Sequence, residues 1–334
     1  MSTPAHAQSH PGADAAEVLD SSRPVLKRRM LLIVNPHATT VSESLREMVV
    51  FALQNRFEVH AVDTKAPGHG TELSRQAAHE GYDVIVAFGG DGTVNEAANG
   101  LLGSTTPLCC LPGGAANVFA KMLGLPSDLI DATERLLAMA DDWRPRRVDL
   151  GSVNGRCFTF NSGVGLDASV VERVDSNPGM KARLGPYFFA WVAVSTFLRR
   201  YLLKPPRMQT VTGQETLEGV TTIVQNGSPF TYFNDRPIEV AEHVTLDSGA
   251  LACCVLHRAT PLDMPIIAWR ALSRRARIVR HRQVTGVSEL TELTVRTADG
   301  RPLPLQVDGD YLGNAGRLEF RWEPDSLRLV MPRR

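Results

Sequence analysis

The chain has 334 residues, with 36 basic and 36 acidic side chains and a formal net charge of zero. A general polyanion binder is usually more basic, so this balance argues against a nucleic-acid partner. The length suits one large core or two moderate ones, and the five cysteines show neither CxxC nor zinc spacing, which predicts reduced thiols in a cytosolic protein.

Residues 1–27 are rich in Ala, Ser, His, Pro and Gly, without a basic start or an apolar core. They read as a disordered tail and not as a signal peptide. Residues 30–34 (MLLIV) predict the first strand, and Asn35-Pro36 a turn. A helix over 44–53 and a strand over 57–62 follow. Thr64 comes next, then Gly68-His69-Gly70 and a helix to about residue 80.

Residues 84–88 (VIVAF) form a continuous apolar run, as in a strand buried on both faces of a parallel sheet. Gly89-Gly90-Asp91-Gly92-Thr93 follows at once. Its glycines let the backbone turn sharply and approach a ligand. Thr93 and Glu96 have capping-box spacing. Val94, Ala97, Ala98 and Leu101 then recur on one helical face. A strand, a glycine turn and a helix N-terminus together suit an anion: free N–H groups and the positive dipole end face it. The plainer alternative is an ordinary tight turn. Residues 107–111 (PLCCL) predict another buried strand, and Pro112-Gly113-Gly114-Ala115-Ala116-Asn117 opens a second helix. Two such units argue for a parallel sheet covered by helices.

After a helix over 132–140 the pattern changes to short strands. Asn154-Gly155 predicts a hairpin between 148–153 and 156–161. Phe160 to Asp167 is a glycine-rich strand end. Residues 186–201 predict a strongly apolar helix, read as a packing element or as the wall of a lipid cleft. Further strands are expected at 208–212, 220–226, 250–256, 292–297, 304–307, 317–322 and 327–331. Asp247-Ser248-Gly249 is a turn. Residues 269–282 carry Arg270, Arg274, Arg275, Arg277, Arg280 and Arg282, on a solvated helix face or against an anionic membrane. Asp308-Gly309-Asp310 reads as a hairpin turn. No stretch is long enough to predict a membrane span: the uncharged 185–198 ends at Arg199-Arg200.

Gly89 to Glu96 resembles the GGDGT phosphate motif of the diacylglycerol kinase catalytic family. That family includes sphingosine and ceramide kinases and is distantly related to NAD kinases. Asn95-Glu96 and Asn99-Gly100-Leu101 favour the lipid kinases. Residues 112–120 resemble the family's second signature, PxGTxNxFA. The resemblance implies an α/β fold of two domains: a nucleotide-binding α/β domain over 28–146 plus 319–334, and a β-rich, sandwich-like domain over 147–318. It implies ATP and Mg²⁺ as cofactors and a lipid alcohol such as diacylglycerol as acceptor. Asn35, Thr64, Gly89, Gly90, Asp91, Gly92, Thr93, Asn95, Glu96, Gly113, Gly114, Ala115 and Asn117 would bind the nucleotide. Asp91 would organise Mg²⁺, and Asp247 part of a structural metal site. Asp310, with Asp308 as its partner, would orient or deprotonate the acceptor hydroxyl.

Departures from the family pattern are the missing Ser-Gly after Asn35-Pro36, Ala115 for Thr, Ser248 for Asp and Asp310 for Glu. With Ala115 in place, the backbone amides of Gly113 and Gly114 are the expected phosphate donors of the second loop. A NAD kinase-like phosphotransferase and a non-catalytic nucleotide- or lipid-binding module are the alternatives. The expected setting is cytoplasmic, peripheral at the inner face of an anionic membrane, with a homodimer left open.

Overall fold

The structure, a computed structural model, describes residues 27–332 except 214, 234, 243 and 274. The expected disordered tail therefore lies outside the described residues save its last position, and so does Arg274.

Strands β1 (Arg28–Val34), β2 (Phe57–Asp63), β3 (Val84–Gly89) and β4 (Leu108–Pro112) run parallel in the order β2-β1-β3-β4. Helices α1 (Glu43–Leu53), α2 (His69–His79), α3 (Asp91–Gly100), α4 (Val118–Met122) and α5 (Leu129–Met139) connect them or follow. Strand alternation divides the apolar run between two layers. Met30, Leu32, Val84, Val86 and Phe88 share one core with Leu53 of α1 and Leu136 of α5. Leu31, Ile33, Ile85 and Ala87 share the other with Ala77 of α2 and Ala97 of α3. In a parallel sheet all strand ends of one kind lie at one edge. Asn35, Gly90 and Gly113 thus follow β1, β3 and β4 along a single rim.

The remaining elements are β5 (Arg146–Val153), β6 (Arg156–Phe158), β7 (Asn161–Gly165), α6 (Leu166–Asp175), α7 (Pro178–Thr196), β8 (Met208–Thr212), β9 (Thr216–Gly219) and β10 (Thr221–Gln225). After them come β11 (Thr231–Phe233), β12 (Arg236–Ile238), β13 (Leu251–Leu256), α8 (Asp263–Leu272), β14 (Val284–Leu290), β15 (Glu292–Thr297), β16 (Leu303–Val307), β17 (Asp310–Ala315) and β18 (Arg317–Leu329). The long β18 is antiparallel to β15 at its start and parallel to β4 at its end. It thereby extends the parallel layer into a mixed sheet. A second sheet, β14-β13-β10-β7-β16-β17, is antiparallel. Val224, Cys253 and Val255 face the first sheet's Met208, Val295 and Phe320. Its other face carries Ile223, Cys254 and Leu256 and is covered by α6, the turn Phe197–Tyr201 and α8, while α7 packs on α6.

Elements differ from the sequence expectation in several places; the strands expected at 317–322 and 327–331, for one, are the single β18. The apolar helix begins eight residues earlier, at Pro178, and has a non-helical Gly185 (φ 49°, ψ −128°). It continues into a π-helical turn, Phe197–Tyr201. The arginine run is not one helical face, because α8 ends at Leu272 where Ser273 turns extended. Pro265 lies in the first turn of α8, where a missing N–H costs nothing. Among the described residues no helix is long and apolar enough to cross a membrane. All five cysteines are free and buried.

Candidate active site

The rim is built by two glycine loops packed backbone against backbone. The Gly113 amide donates to the Gly89 carbonyl at 2.8 Å, and the Thr40 amide to the Gly113 carbonyl at 3.0 Å. A Cβ on Gly114 would stand 2.6 Å from the Gly90 Cα, and one on Gly113 would stand 2.9 Å from the Gly89 Cα. None of Gly89, Gly90, Gly92, Gly113 and Gly114 has a positive φ. These glycines are therefore needed for closeness and not for a left-handed turn. Asn117 is left-handed (φ 48°) and clamps the second loop: its Oδ1 accepts from the Gly114 amide at 2.8 Å, and its Nδ2 donates to the Gly114 carbonyl at 2.7 Å. This corrects the expectation for the second loop. The Gly113 and Gly114 amides are already bonded within the protein, and Ala115 is exposed beside them.

The first loop is built differently. Helix α3 starts at Asp91 after an extended Gly90, which has no side chain to cap it. Its first-turn amides have no partner inside the helix. The expected capping box is absent because the helix starts two residues before Thr93. Thr93 Oγ1 instead accepts from Asn35 Nδ2 at 3.3 Å. Glu96 reaches across to α2, accepting from the amides of Gly68 at 2.7 Å and Gly70 at 2.9 Å. It caps a neighbouring helix and not its own. Thr64 closes the same rim, its amide 2.8 Å from the Val34 carbonyl.

Asp91 is likewise a tie between helices. Its carboxylate accepts from the amides of Val118 at 3.0 Å and Phe119 at 2.9 Å, at the start of α4. Burial pushes its pKa up to about 6, against the pull of those two amides. Each oxygen keeps one lone pair for water or cation, so Asp91 is not the open metal ligand that the motif suggested.

Asp308 is a buried hub. Its Oδ1 accepts from the amides of Phe160 (3.0 Å) and Asn161 (3.1 Å). Its Oδ2 accepts from the Thr159 amide (2.7 Å), the Thr159 hydroxyl (2.8 Å) and Asn95 Nδ2 (2.8 Å). Burial raises its pKa, and the amides of Thr159, Phe160 and Asn161 oppose that rise. With its acceptor sites filled by protein donors, Asp308 cannot serve as the partner that orients water or metal. That expectation is corrected. Asn95 joins the hub to α3, also donating to the Cys157 carbonyl at 2.9 Å and accepting from Arg156 at 2.5 Å.

Asp310 stands differently. It is exposed, at the start of β17, and a Cβ on Gly92 would overlap its carboxylate. The hairpin turn thus brings Asp310 against the first turn of α3, from the opposite sheet.

Asp247 does not join these groups. It is exposed, its Oδ1 accepts from the Thr245 hydroxyl at 2.9 Å, and the Ser248 hydroxyl closes the turn onto the Thr245 carbonyl at 2.8 Å. Arg146 and Arg147 line the same cavity of about 180 Å³ as Asp247, which disfavours a cation. Among the described residues, no three His, Cys, Asp or Glu side chains come together as a metal site. The expected structural metal at Asp247 is therefore not supported by its donors.

Two groups at the rim were not singled out from sequence. Lys121 Nζ lies 2.7 Å from Asp235 and 4.8 Å from the centre of the Tyr232 ring, so α4 is tied to the β11–β12 hairpin. Asp167 accepts from Gln306 Nε2 at 2.9 Å, and Gln306 Oε1 accepts from the Gly309 amide at 2.9 Å. Burial raises the Asp167 pKa to about 6. Asp167 closes a glycine-rich stretch that was legible, and Lys121 has no local signal.

Comparison with known proteins agrees with this geometry. The sequence pattern of the diacylglycerol kinase catalytic domain matches residues 29–153. A diacylglycerol kinase of Staphylococcus carnosus is 24% identical over 298 residues, spanning 86% of this chain and 90% of that protein. A diacylglycerol kinase of Staphylococcus aureus is 29% identical over 170 residues, spanning 49% of this chain and only 51% of that protein. A crystal structure of a diacylglycerol kinase from Bacillus anthracis superposes with a TM-score of 0.70 at 22% identity, covering 91% of this chain and 97% of that one. This last likeness is one of fold. The match over residues 29–153 and the named relatives support a kinase of the diacylglycerol kinase type.

Proposed function

We propose that the protein is an ATP-dependent lipid kinase that phosphorylates a lipid hydroxyl, with diacylglycerol as the first acceptor and phosphatidic acid as its product. The observation that carries this reading is the Asp310 carboxylate lying against Gly92, in the first turn of α3. An anion-binding helix end and an exposed carboxylate meet there from two sheets.

Phosphoryl transfer needs positioning and charge neutralisation more than covalent chemistry by the protein. The amides of Asp91, Gly92 and Thr93 would receive the phosphates of Mg·ATP, on the floor that the paired glycine loops keep free of side chains. Asn35, Thr64 and Asn117 would shape the nucleotide side of the rim. Magnesium enters with the nucleotide as part of the substrate, holding phosphates, water and one or two carboxylates. Asp91 would contribute through its remaining lone pairs. Asp310 would accept the proton of the lipid hydroxyl, directly or through one water. It is one methylene shorter than the glutamate of the family pattern. The acceptor lies in a bilayer, so the reading includes peripheral attachment to an anionic membrane from the cytoplasmic side.

The test is labelled ATP with Mg²⁺ against diacylglycerol, sphingosine, ceramide and NAD, with the products separated by chromatography. Label in phosphatidic acid is the expected result. Label in the NAD product alone would move the protein to the soluble-acceptor kinases. ATP binding without transfer to any acceptor would make it a binding module.

A further inference from the structure

We propose that the outer face formed by α7, its π-helical continuation and α8 is the surface that docks on an anionic lipid bilayer. The inference deepens the lipid-kinase reading, because it says where the bilayer meets the protein.

The π-helical turn and α8 share one core, and α7 packs on α6 through Phe188 and Val192. Phe197 and Tyr201 are buried, and Met264, Ile267 and Ala271 pack partly buried against the same cluster on the second sheet. Their other sides are apolar and uncovered. Tyr187, Trp191, Val194, Leu198 and Leu202 recur every three or four residues and are 37–66% exposed. On α8 and the residue before it, Leu262, Ile266, Trp269 and Leu272 repeat the pattern at 45–78% exposed. Of the 17 exposed large apolar side chains among the described residues, 12 lie in 180–203 and 262–272. Scattered exposed apolar residues need no explanation, but a concentration of this kind marks a contact surface.

Charge selects the occupant. Residues 178–204 contain Lys181, Arg183, Arg199, Arg200 and Lys204 and no acidic residue. Residues 262–282 contain six arginines and one acid, Asp263, which is buried. The whole chain is neutral, so this positive charge is local. Arg200, Arg277 and Arg282 pair with Glu172, Glu242 and Asp263. Arg183, Arg199, Lys204, Arg275 and Arg280 make no ion pair among the described residues. A two-fold contact with a second copy would set this positive face against itself. An anionic bilayer instead offers phosphates to the basic rim and an apolar layer to the exposed Trp and Leu side chains.

The face also borders the candidate site. The Tyr187 ring meets the Phe233 ring edge-on at 6.0 Å. Phe233 belongs to the β11–β12 hairpin, whose Tyr232 and Asp235 hold Lys121 of α4. The start of α4 is bonded to Asp91. A lipid leaving the bilayer along α7 would thus reach the rim over one hairpin.

The test is sedimentation of the full chain with phosphatidylcholine vesicles, with and without phosphatidylglycerol, in the absence of nucleotide. Binding should require the anionic lipid and fall with salt. Arg199→Glu with Lys204→Glu should weaken it by roughly 30-fold or more at low salt, taking about fivefold per basic residue. Trp191→Glu with Leu198→Glu should weaken it by on the order of tenfold or more. Phe51→Glu alters a 74% exposed side chain on α1, away from this face, and should change nothing. Gel filtration and melting curves confirm that each variant folds. As a measurement on unaltered helix faces, brominated lipid should quench tryptophan fluorescence, and Trp191→Phe with Trp269→Phe should abolish that quenching.

The proposal is overturned if wild type ignores anionic vesicles. It is equally overturned if neither double variant weakens binding, or if the Trp191 and Leu198 changes alter only the oligomeric state. Vesicle binding without lipid phosphorylation would leave the docking face standing and remove the kinase reading. Phosphorylation of a water-soluble short-chain diacylglycerol without vesicle binding would do the reverse.

Discussion

Replacing Asp308 by Asn tests the distinction between a carboxylate that holds the site together and one that reacts. The side-chain oxygen count falls from two acceptors to one, and the new amide is a donor. If the NH₂ takes the Oδ1 position, the amides of Phe160 and Asn161 lose their acceptor. If it takes the Oδ2 position, Thr159 and Asn95 lose theirs. Either way at least two buried donors are left facing a donor. Each costs about 1–3 kcal/mol, so the variant should be roughly 2–6 kcal/mol less stable. Urea denaturation measures this directly. Asn95→Ala in the same background should cost less than it does in wild type, since the two residues share a bond; coupling of about 0.5–3 kcal/mol is expected. An Asp308→Asn protein within about 0.5 kcal/mol of wild type would refute the hub. If such a protein were also inactive, Asp308 would return as a reacting group.

Three further outcomes follow from the same geometry. Gly114→Ala places a Cβ against the Gly90 backbone; it should cost about 1–3 kcal/mol and weaken nucleotide binding, read by denaturation and calorimetric titration. Glu96→Gln keeps one acceptor for the two α2 amides; a loss of about 0.5–2 kcal/mol is expected, with hydrogen exchange faster at Gly68 and Gly70. The Asp167 carboxyl has a folded pKa of about 6, above its unfolded 3.8. Its contribution to stability is fully present below pH 3.8 and lost as pH rises through 6. Asp167→Asn should therefore be more stable than wild type at pH 7.5, by about 1–2 kcal/mol after discounting its partial contact with water, and no more stable at pH 4. An advantage that is the same at both pH values would show that ionisation is not the cause.

The parallel layer and the first glycine loop were legible because their signals are local. A continuous apolar run, glycines and a 3.6-residue period all fall between residues 84 and 101. What the polar residues of that loop bind was not legible, because their partners are distant in sequence. Asp91 is 27 and 28 residues from its two amides, Glu96 is 26 and 28 from its own, and Asn95 is 213 from Asp308. Thr93 and Glu96 satisfy a local capping pattern, but the helix starts earlier and tertiary bonds take both side chains. Strand β17 (DYLGNA) gave no apolar alternation to read, since it lies at the edge of its sheet with half its residues exposed. The α7–α8 face was visible only as two apolar or basic stretches. That the π-helical end of α7 and α8 meet in one core is a property of the fold.

The most direct test of the central claim is lipid phosphorylation by wild type, Asp310→Asn and Asp310→Glu, with labelled ATP, Mg²⁺ and diacylglycerol in mixed vesicles. Asp310→Asn should lower turnover by about 10²–10⁴-fold while melting temperature and ATP affinity hardly change, and Asp310→Glu should retain substantial activity. Full turnover by a folded Asp310→Asn protein would contradict the account, because the carboxylate that the hairpin brings to α3 would then have no part in the transfer.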